Sequence, residues 1–277
     1  MNKVKNLILN FPVISAIIIM LAGAFLTEIH LEDNLLSGMQ EQYASYLTGI
    51  ITQGGVSVLL ILLLKWLGLL RQGGFTKPRE WKQLWVNWML LVYCVLNIDF
   101  SVFDGTNPIR WNEPGLLLLF VLLFIAVGFV EEILFRSVML PLMLRKWGSS
   151  RKGIYWTVIF SSAVFGLVHI FNLMMGRRTL MGTIPQIVYA IFFGVYFAAC
   201  FLRNNSVWPV IFTHALFDAC GNFTEIAVNS NFGVKIDATW QSFGFTVLFT
   251  LPLFIYGLIL LRKVQPGQWN GEMDVQR

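Results

Sequence analysis

A short set of ionisable side chains stands where an otherwise apolar chain should have none. The run from Val127 to Leu144, VGFVEEILFRSVMLPLML, carries Glu131, Glu132 and Arg136 in a hydrophobic stretch long enough to cross a bilayer. Charges at membrane depth cost several kcal/mol unless they face a protein interior or a water-filled cavity, so such a cluster marks a functional site. On a helix, Glu132 precedes Arg136 by four residues, the orientation that favours an ion pair. Glu131 then points about 100° away from its neighbour and is free to act elsewhere. Further along, FGLVHIFN places Phe165 one turn before His169, with Asn172 on the same face, and VIFTHALFDACGN stacks His214 on Asp218.

A carboxylate paired with an imidazole can hold a water and take its proton. A second imidazole can donate to the oxyanion of a tetrahedral intermediate, the term that is usually largest in acyl transfer. Peptide hydrolysis fits that inventory without a cofactor. The same four side chains, Glu131, His169, His214 and Asp218, are also a plausible ligand set for zinc, with Glu132 as a spare carboxylate, and the sequence leaves the two mechanisms open. There is no HExxH and no GxSxG with a usable base, so the commoner zincin and serine-hydrolase signatures are absent.

The elements that must position these groups are transmembrane helices. Of 277 residues, 56% are hydrophobic and 13% charged, against about 25% charged in soluble domains. The chain is therefore expected to be all-α and polytopic, with the lipid bilayer as its solvent. A net charge of +5 does not point to nucleic acid here, because the basic residues cluster in short loops, where they set topology. The three cysteines, Cys94, Cys200 and Cys220, lie in apolar segments without metal-type spacing and read as small buried hydrophobes.

Hydropathy and charge predict eight spans: about Leu7 to Leu26, Tyr46 to Leu70, Leu84 to Ile98, Gly115 to Leu144, Ile154 to Met175, a sixth ending near Arg203, Val207 to Ala227, and Phe243 to Leu261. The first is too long for the apolar core of a secretory signal, about 7–15 residues, and lacks a convincing cleavage site. The acidic loop with Glu28, Glu32, Asp33 and Glu41 is expected outside. Arg71, Lys77, Arg79 and Lys82, and then Arg145, Lys146, Arg151 and Lys152, mark loops inside, with both termini cytoplasmic. Arg177 and Arg178 break that rule, falling outside with no acid nearby in sequence. Trp66, Trp81, Trp111, Trp147, Trp208 and Trp240 fall near span ends, as an aromatic belt would place them. At about 1.5 Å per residue, Glu131, His169, His214 and Asp218 lie about 20, 24, 12 and 18 Å from the cytoplasmic ends of their helices. One cavity in the cytoplasmic half to middle of the membrane, opening to the cytoplasm or to lipid, would gather them.

EEILFR as EExxxR, FGLVH as FxxxH and HALFD as HxxxD, in this order on three helices, resemble the CAAX-protease and bacteriocin-processing family of intramembrane proteases, also called the abortive-infection family. The resemblance covers a core of about 115–221; helices in 1–114 and the segment 222–277 carry no motif, and all three parts form one integral membrane domain. It implies that Glu131 and His169 activate the attacking water, that His214 and Asp218 form the oxyanion side, and that Glu132, Arg136, Phe165 and Asn172 support them. Eukaryotic members carry Asn in the last motif, whereas this chain has Asp218, as some bacterial members do. An ionised Asp only accepts hydrogen bonds, so its expected role is to orient His214, with protonation or metal ligation as the alternatives.

The resemblance implies a substrate that is a peptide or a membrane-anchored protein, in a bacterial cell membrane. Two other classes compete: a non-catalytic bacteriocin-immunity or partner-binding protein, and a proton-coupled transporter built on the same Glu/His chain. Competent side chains at every expected catalytic position weigh against the first, and the lack of an inverted repeat weighs against the second. His30 reads as a solvated loop residue, and Lys65, Asn97 and Gln186 as span-end polar groups.

Overall fold

A computed structural model describes residues 3–33, 35–78 and 86–267. Arg79, Trp81, Lys82 and the expected start of the third span at Leu84 lie outside the described residues. Within them the protein is all-α, with no strand and only two isolated β-bridges, Ile109 to Ala227 and Arg178 to Ile236.

Eleven α-helices are described: α1 (Lys3–Asn10), α2 (Pro12–Thr27), α3 (Glu41–Leu67), α4 (Trp88–Leu96), α5 (Pro114–Glu132), α6 (Leu140–Trp147), α7 (Arg151–Val168), α8 (Ile170–Met174), α9 (Leu180–Asn204), α10 (Trp208–Gly221) and α11 (Trp240–Leu261). Their boundaries follow local chemistry. Proline opens α2, α5 and α10 within the first two positions, where its missing N–H would be unpaired anyway. Ser150 and Thr179 cap α7 and α9 by accepting from the N–H groups of Gly153 and Gly182, and Thr239 with Ser242 forms a capping box on α11.

Five helical stretches are long and apolar enough to cross a bilayer: Glu41–Leu67, Pro114–Trp147, Arg151–Met174, Leu180–Asn204 and Trp240–Leu261. A sixth would be the pair α1 and α2, bent by 106°. The first, third and seventh of the expected eight are not among these five stretches, for three physical reasons. The expected first span breaks at Phe11, which precedes Pro12 and leaves the helical region (φ −117°, ψ 56°), because a proline ring crowds the residue before it. The third begins outside the described residues, within which it shows only α4, nine residues, or about 14 Å. The seventh is α10, 14 residues, or about 21 Å, short of a hydrocarbon core of about 30 Å. Hydropathy counts apolar side chains alike whether they meet lipid or another helix, and α10 spends its apolar surface on α5 and α4.

The expected fourth span is a continuous 34-residue helix in which α5 passes into α6 through a π-helical turn, Ile133–Met139. Such turns concentrate at functional sites. This one starts immediately after Glu132 and contains Arg136.

The helices alternate between two chemically different ends. At one, Lys5 Nζ donates to the Trp66 carbonyl, Arg151 to that of Arg262, and Val207 N–H to that of Gly74. This basic end carries Arg71 and Lys77, the pairs Arg145–Lys146 and Arg151–Lys152, then Arg203, Arg262 and Lys263, and no acid among the described residues. At the other, Arg110 N–H pairs with the Ile226 carbonyl, Tyr46 Oη donates to Glu225 (2.7 Å) and Thr179 bonds Asp237. Glu28, Glu32, Asp33, Glu41, Asp99, Asp104 and Glu113 lie at this acidic end, where the hydrogen bonds from Thr106 hold the Asp104 carboxyl below its usual range. The main core surrounds the π turn and α9, with Met139, Tyr196, Phe197 and Phe201 fully buried, and a smaller cluster of Tyr46, Phe120, Phe124 and Ile226 lies under the acidic end. Cys94, Cys200 and Cys220 are buried and unpaired by disulfides.

Candidate active site

Close packing of α5 on α10 sets the first part of the site. A Cβ placed on Gly128 would lie 2.9 Å from the Ile211 carbonyl oxygen and 3.0 Å from the Ala215 Cβ, so the backbones approach as only glycine permits. One turn further, Glu132 Oε1 meets His214 Nδ1 at 2.7 Å and Glu132 Oε2 meets Arg136 Nε at 3.1 Å. Glu132 is fully buried. Gly128→Val is therefore expected to part the two helices, costing about 1–3 kcal/mol as overpacking does, and to lower turnover through the displaced His214. Thermal unfolding and cleavage rate measured on the same preparation check this.

Arg136 completes the buried side. Its guanidinium carbon lies 4.4 Å from the ring centre of Phe165 and 5.3 Å from that of Phe197, within cation–π range. Nη1 and Nη2 have no hydrogen-bond partner among the described residues, so aromatic faces and Glu132 are its whole compensation. Phe197 also stacks on His214 (4.8 Å, 24°), and Phe165 meets His169 and His214 edge to face. Phe165, expected to support the site, is thus the ring around which both imidazoles and the guanidinium are arranged.

His169 sits where α7 gives way to α8, and its Nδ1 is 3.0 Å from the Phe165 carbonyl oxygen. A carbonyl only accepts, so Nδ1 carries the proton and donates it, which leaves Nε2 as the ring's lone-pair nitrogen. Asn172, one turn on, donates to Gln186 Oε1 (3.0 Å), and its backbone carbonyl accepts from Arg178 N–H (3.1 Å). Gln186, expected to be a span-end polar group, is instead a buried tie between α8 and α9.

These elements enclose a cavity in two lobes, of 310 and 400 Å³, both lined by Glu131, Phe165, His169 and Asn172. His214 and Asp218 line the second lobe only. His214 Nε2 lies 3.5 Å from Glu131 Oε2 and 3.4 Å from Asp218 Oδ2. The structure thus brings Glu131, His214 and Asp218 together, sets His169 on the same cavity, and keeps Glu132 and Arg136 behind His214. The shorter contact that fixes the His214 ring is made by Glu132 at Nδ1, while Asp218 faces the opposite nitrogen.

One expectation is corrected here. Arg177 was expected to have no acid nearby, but Glu28, 149 residues away in sequence, pairs with it at 2.8 Å. The lining of the cavity includes Thr27, Glu28, His30 and Glu32 on one lobe and Arg178, Asn222 and Glu225 on the other, all at the acidic end. Sequence distance hid the Glu28 contact, since only folding places Glu28 beside Arg177; the topology mismatch at Arg177 and Arg178 was the one signal available.

Among the described residues no group of three or more His, Cys, Asp or Glu side chains is placed to hold a metal ion, while His169, held at Nδ1 by a backbone carbonyl, keeps Nε2 free.

Residues 113–220 match the family model described as Type II CAAX prenyl endopeptidase Rce1-like, the protease family that the three motifs resemble. The match spans α5, the π turn and α6 to α10, which carry Glu131, His169, His214 and Asp218. No curated protein and no solved structure matches the chain.

Proposed function

With residues 113–220 in that endopeptidase family as the premise, we propose that this multi-pass membrane protein is an intramembrane endopeptidase that hydrolyses a peptide bond in a peptide or a membrane-anchored protein, using no metal. Both termini lie on the cytoplasmic side, as the basic residues at that end favour. The observation that carries the reading is the shared lining of one cavity by Glu131 and His169, with His169 held at Nδ1 so that Nε2 is its accepting nitrogen.

A water between Glu131 and His169 Nε2 gives its proton to Glu131 as its oxygen attacks the scissile carbonyl. The carbonyl π electrons move to oxygen, and the oxyanion is met by a proton on His214 Nε2. Collapse reforms the C=O bond and breaks the C–N bond, and Glu131 returns the proton to the leaving amine. Glu132 holds His214 in place through Nδ1.

Asp218 stands beside His214 Nε2 and, as a carboxylate, can only accept. Asn keeps its size and adds an N–H donor, so Asp218→Asn is expected to retain activity within about tenfold. Asp218→Ala is expected to lose about 10²-fold, the scale of a lost oxyanion-side contact. Equal losses in a side-by-side rate comparison would remove Asp218 from this role. The test of the function itself is a comparison of membrane-protein termini in cells carrying the wild-type chain or Glu131→Gln at equal expression. New termini that depend on Glu131 support proteolysis, and indistinguishable sets at full coverage overturn it.

A further inference from the structure

We infer that one polar face of α3 binds the substrate backbone, with Ser45, Thr48 and Gln53 hydrogen-bonding an extended segment beside the scissile bond. The inference rests on the endopeptidase reading and adds to it substrate-binding residues that lie outside the matched stretch 113–220.

α3 is long and apolar enough to cross the bilayer. Thr48, Thr52 and Gln53 nevertheless follow Ser45 by three, seven and eight residues, which sets all four polar side chains on one face of the helix. All four line the first lobe together with Glu131 and His169. Gly49, on the same face, seats the helix: a Cβ there would lie 2.5 Å from Leu123 Cδ1, so α3 packs closely on α5 at this point. Both helices run from the acidic to the basic end. Leu123 precedes Glu131 by eight residues and Gly49 precedes Gln53 by four. Gln53 is therefore the end of the face nearer Glu131, about 6 Å short of it along the axis.

A polar side chain at membrane depth ordinarily bonds a neighbouring helix or its own backbone. Thr52 does so, its Oγ1 donating to the Thr48 carbonyl at 2.9 Å. The other three do not. Thr48 is 6% exposed and its Oγ1 has no partner among the described residues, where Ser45 and Gln53 make no side-chain hydrogen bond either. Elsewhere in the lobe, Thr27 is engaged with the Ala24 carbonyl, Glu28 with Arg177 and Asn172 with Gln186. α3 thus keeps hydroxyl and amide groups, able to donate and to accept, unpaired on the wall of the cavity that holds Glu131.

A polypeptide brought to that depth has the complementary need, because each backbone N–H and C=O taken out of water requires a partner. From Ser45 to Gln53 the face spans about 12 Å, the length of about four residues of extended chain. Groups that read backbone tolerate varied side chains but reject a helix, whose amides are already paired internally. The substrate class is therefore a polypeptide that is extended, or readily unwound, next to the bond that is cut.

The test uses the full-length chain and a peptide spanning a cleavage site mapped from Glu131-dependent termini. Thr48→Val removes an unpaired buried hydroxyl and Gln53→Met keeps the side-chain length, so the double variant is expected to unfold at the wild-type temperature or above. Its KM is expected to rise at least about tenfold, the combined scale of two hydrogen bonds, with kcat within about twofold, as when binding shared by ground and transition states is lost. Replacing single amides of the peptide by esters, the scissile one excepted, deletes an N–H without adding bulk. At least one such replacement close to the scissile bond should lower kcat/KM of the wild type about fivefold and that of the double variant less than about twofold, because the contact is already gone. The single variants give the same comparison one residue at a time. An unchanged KM in the double variant, or an ester penalty equal in both chains, overturns the inference while Glu131-dependent cleavage stands. Failure of the endopeptidase reading shows separately, as wild-type termini indistinguishable from those of the Glu131→Gln chain.

Discussion

Glu131→Gln is expected to remove peptide-bond cleavage, with a fall in kcat of about 10²–10⁴, the range that a positioned acid–base group supplies. Gln preserves volume and polarity but cannot take a proton from water. Glu131 is also the one carboxylate of the EE pair that reaches the cavity: its side chain is 29% exposed, whereas that of Glu132 is fully enclosed. Among the described residues no hydrogen bond ties it to the scaffold, and His214 Nε2 lies 3.5 Å away. Gln keeps the volume and gives up only the contact with the buried His214 ring, so the variant should unfold within about 1 kcal/mol of the wild type. Single-turnover rates on a peptide spanning a mapped cleavage site check the first part, and thermal unfolding in the same detergent the second. Combining Glu131→Gln with His169→Ala should cost little more than either alone, because groups that activate one water act as a unit. Additive losses would mean that the two residues serve different steps.

The parts of this site that could be read from the sequence are those set by local periodicity. The i,i+4 spacing of Glu132 and Arg136 led to an ion pair, and the pair forms even though a π turn runs between them. The same spacing stacked His214 on Asp218, and the apolar runs marked α3, the long helix through α5 and α6, α7, α9 and α11 as membrane-spanning. What stayed hidden depended on contacts between distant segments. Nothing near Glu132 announces that its second oxygen holds His214, 82 residues on, because that contact follows from a glycine seat at Gly128 against α10. Nothing near Arg177 announces Glu28.

Breaking the buried pair behind His214 should have the largest effect on the fold itself. Glu132→Gln leaves the Arg136 guanidinium, 2% exposed and already without partners at Nη1 and Nη2, as an uncompensated charge between the rings of Phe165 and Phe197. Removing one member of a buried pair costs about 3–5 kcal/mol, enough to depress the yield of folded protein as well as its unfolding temperature. Arg136→Met together with Glu132→Gln removes both charges while keeping near-native volume. Paired replacements of this kind are often neutral or stabilising, so the double variant should recover most of the lost stability, and the Gln oxygen can still accept from His214 Nδ1. If the pair is scaffolding, cleavage returns with it to within about tenfold, as expected when a coupled pair is removed together. A double variant that folds and unfolds like the wild type but cleaves about 10³-fold more slowly would show instead that the Glu132 charge is needed during the reaction. Such a loss is on the scale seen when a histidine's carboxylate partner is neutralised. Catalysis would then extend one residue beyond the cavity wall, from Glu132 through the His214 ring to the oxyanion.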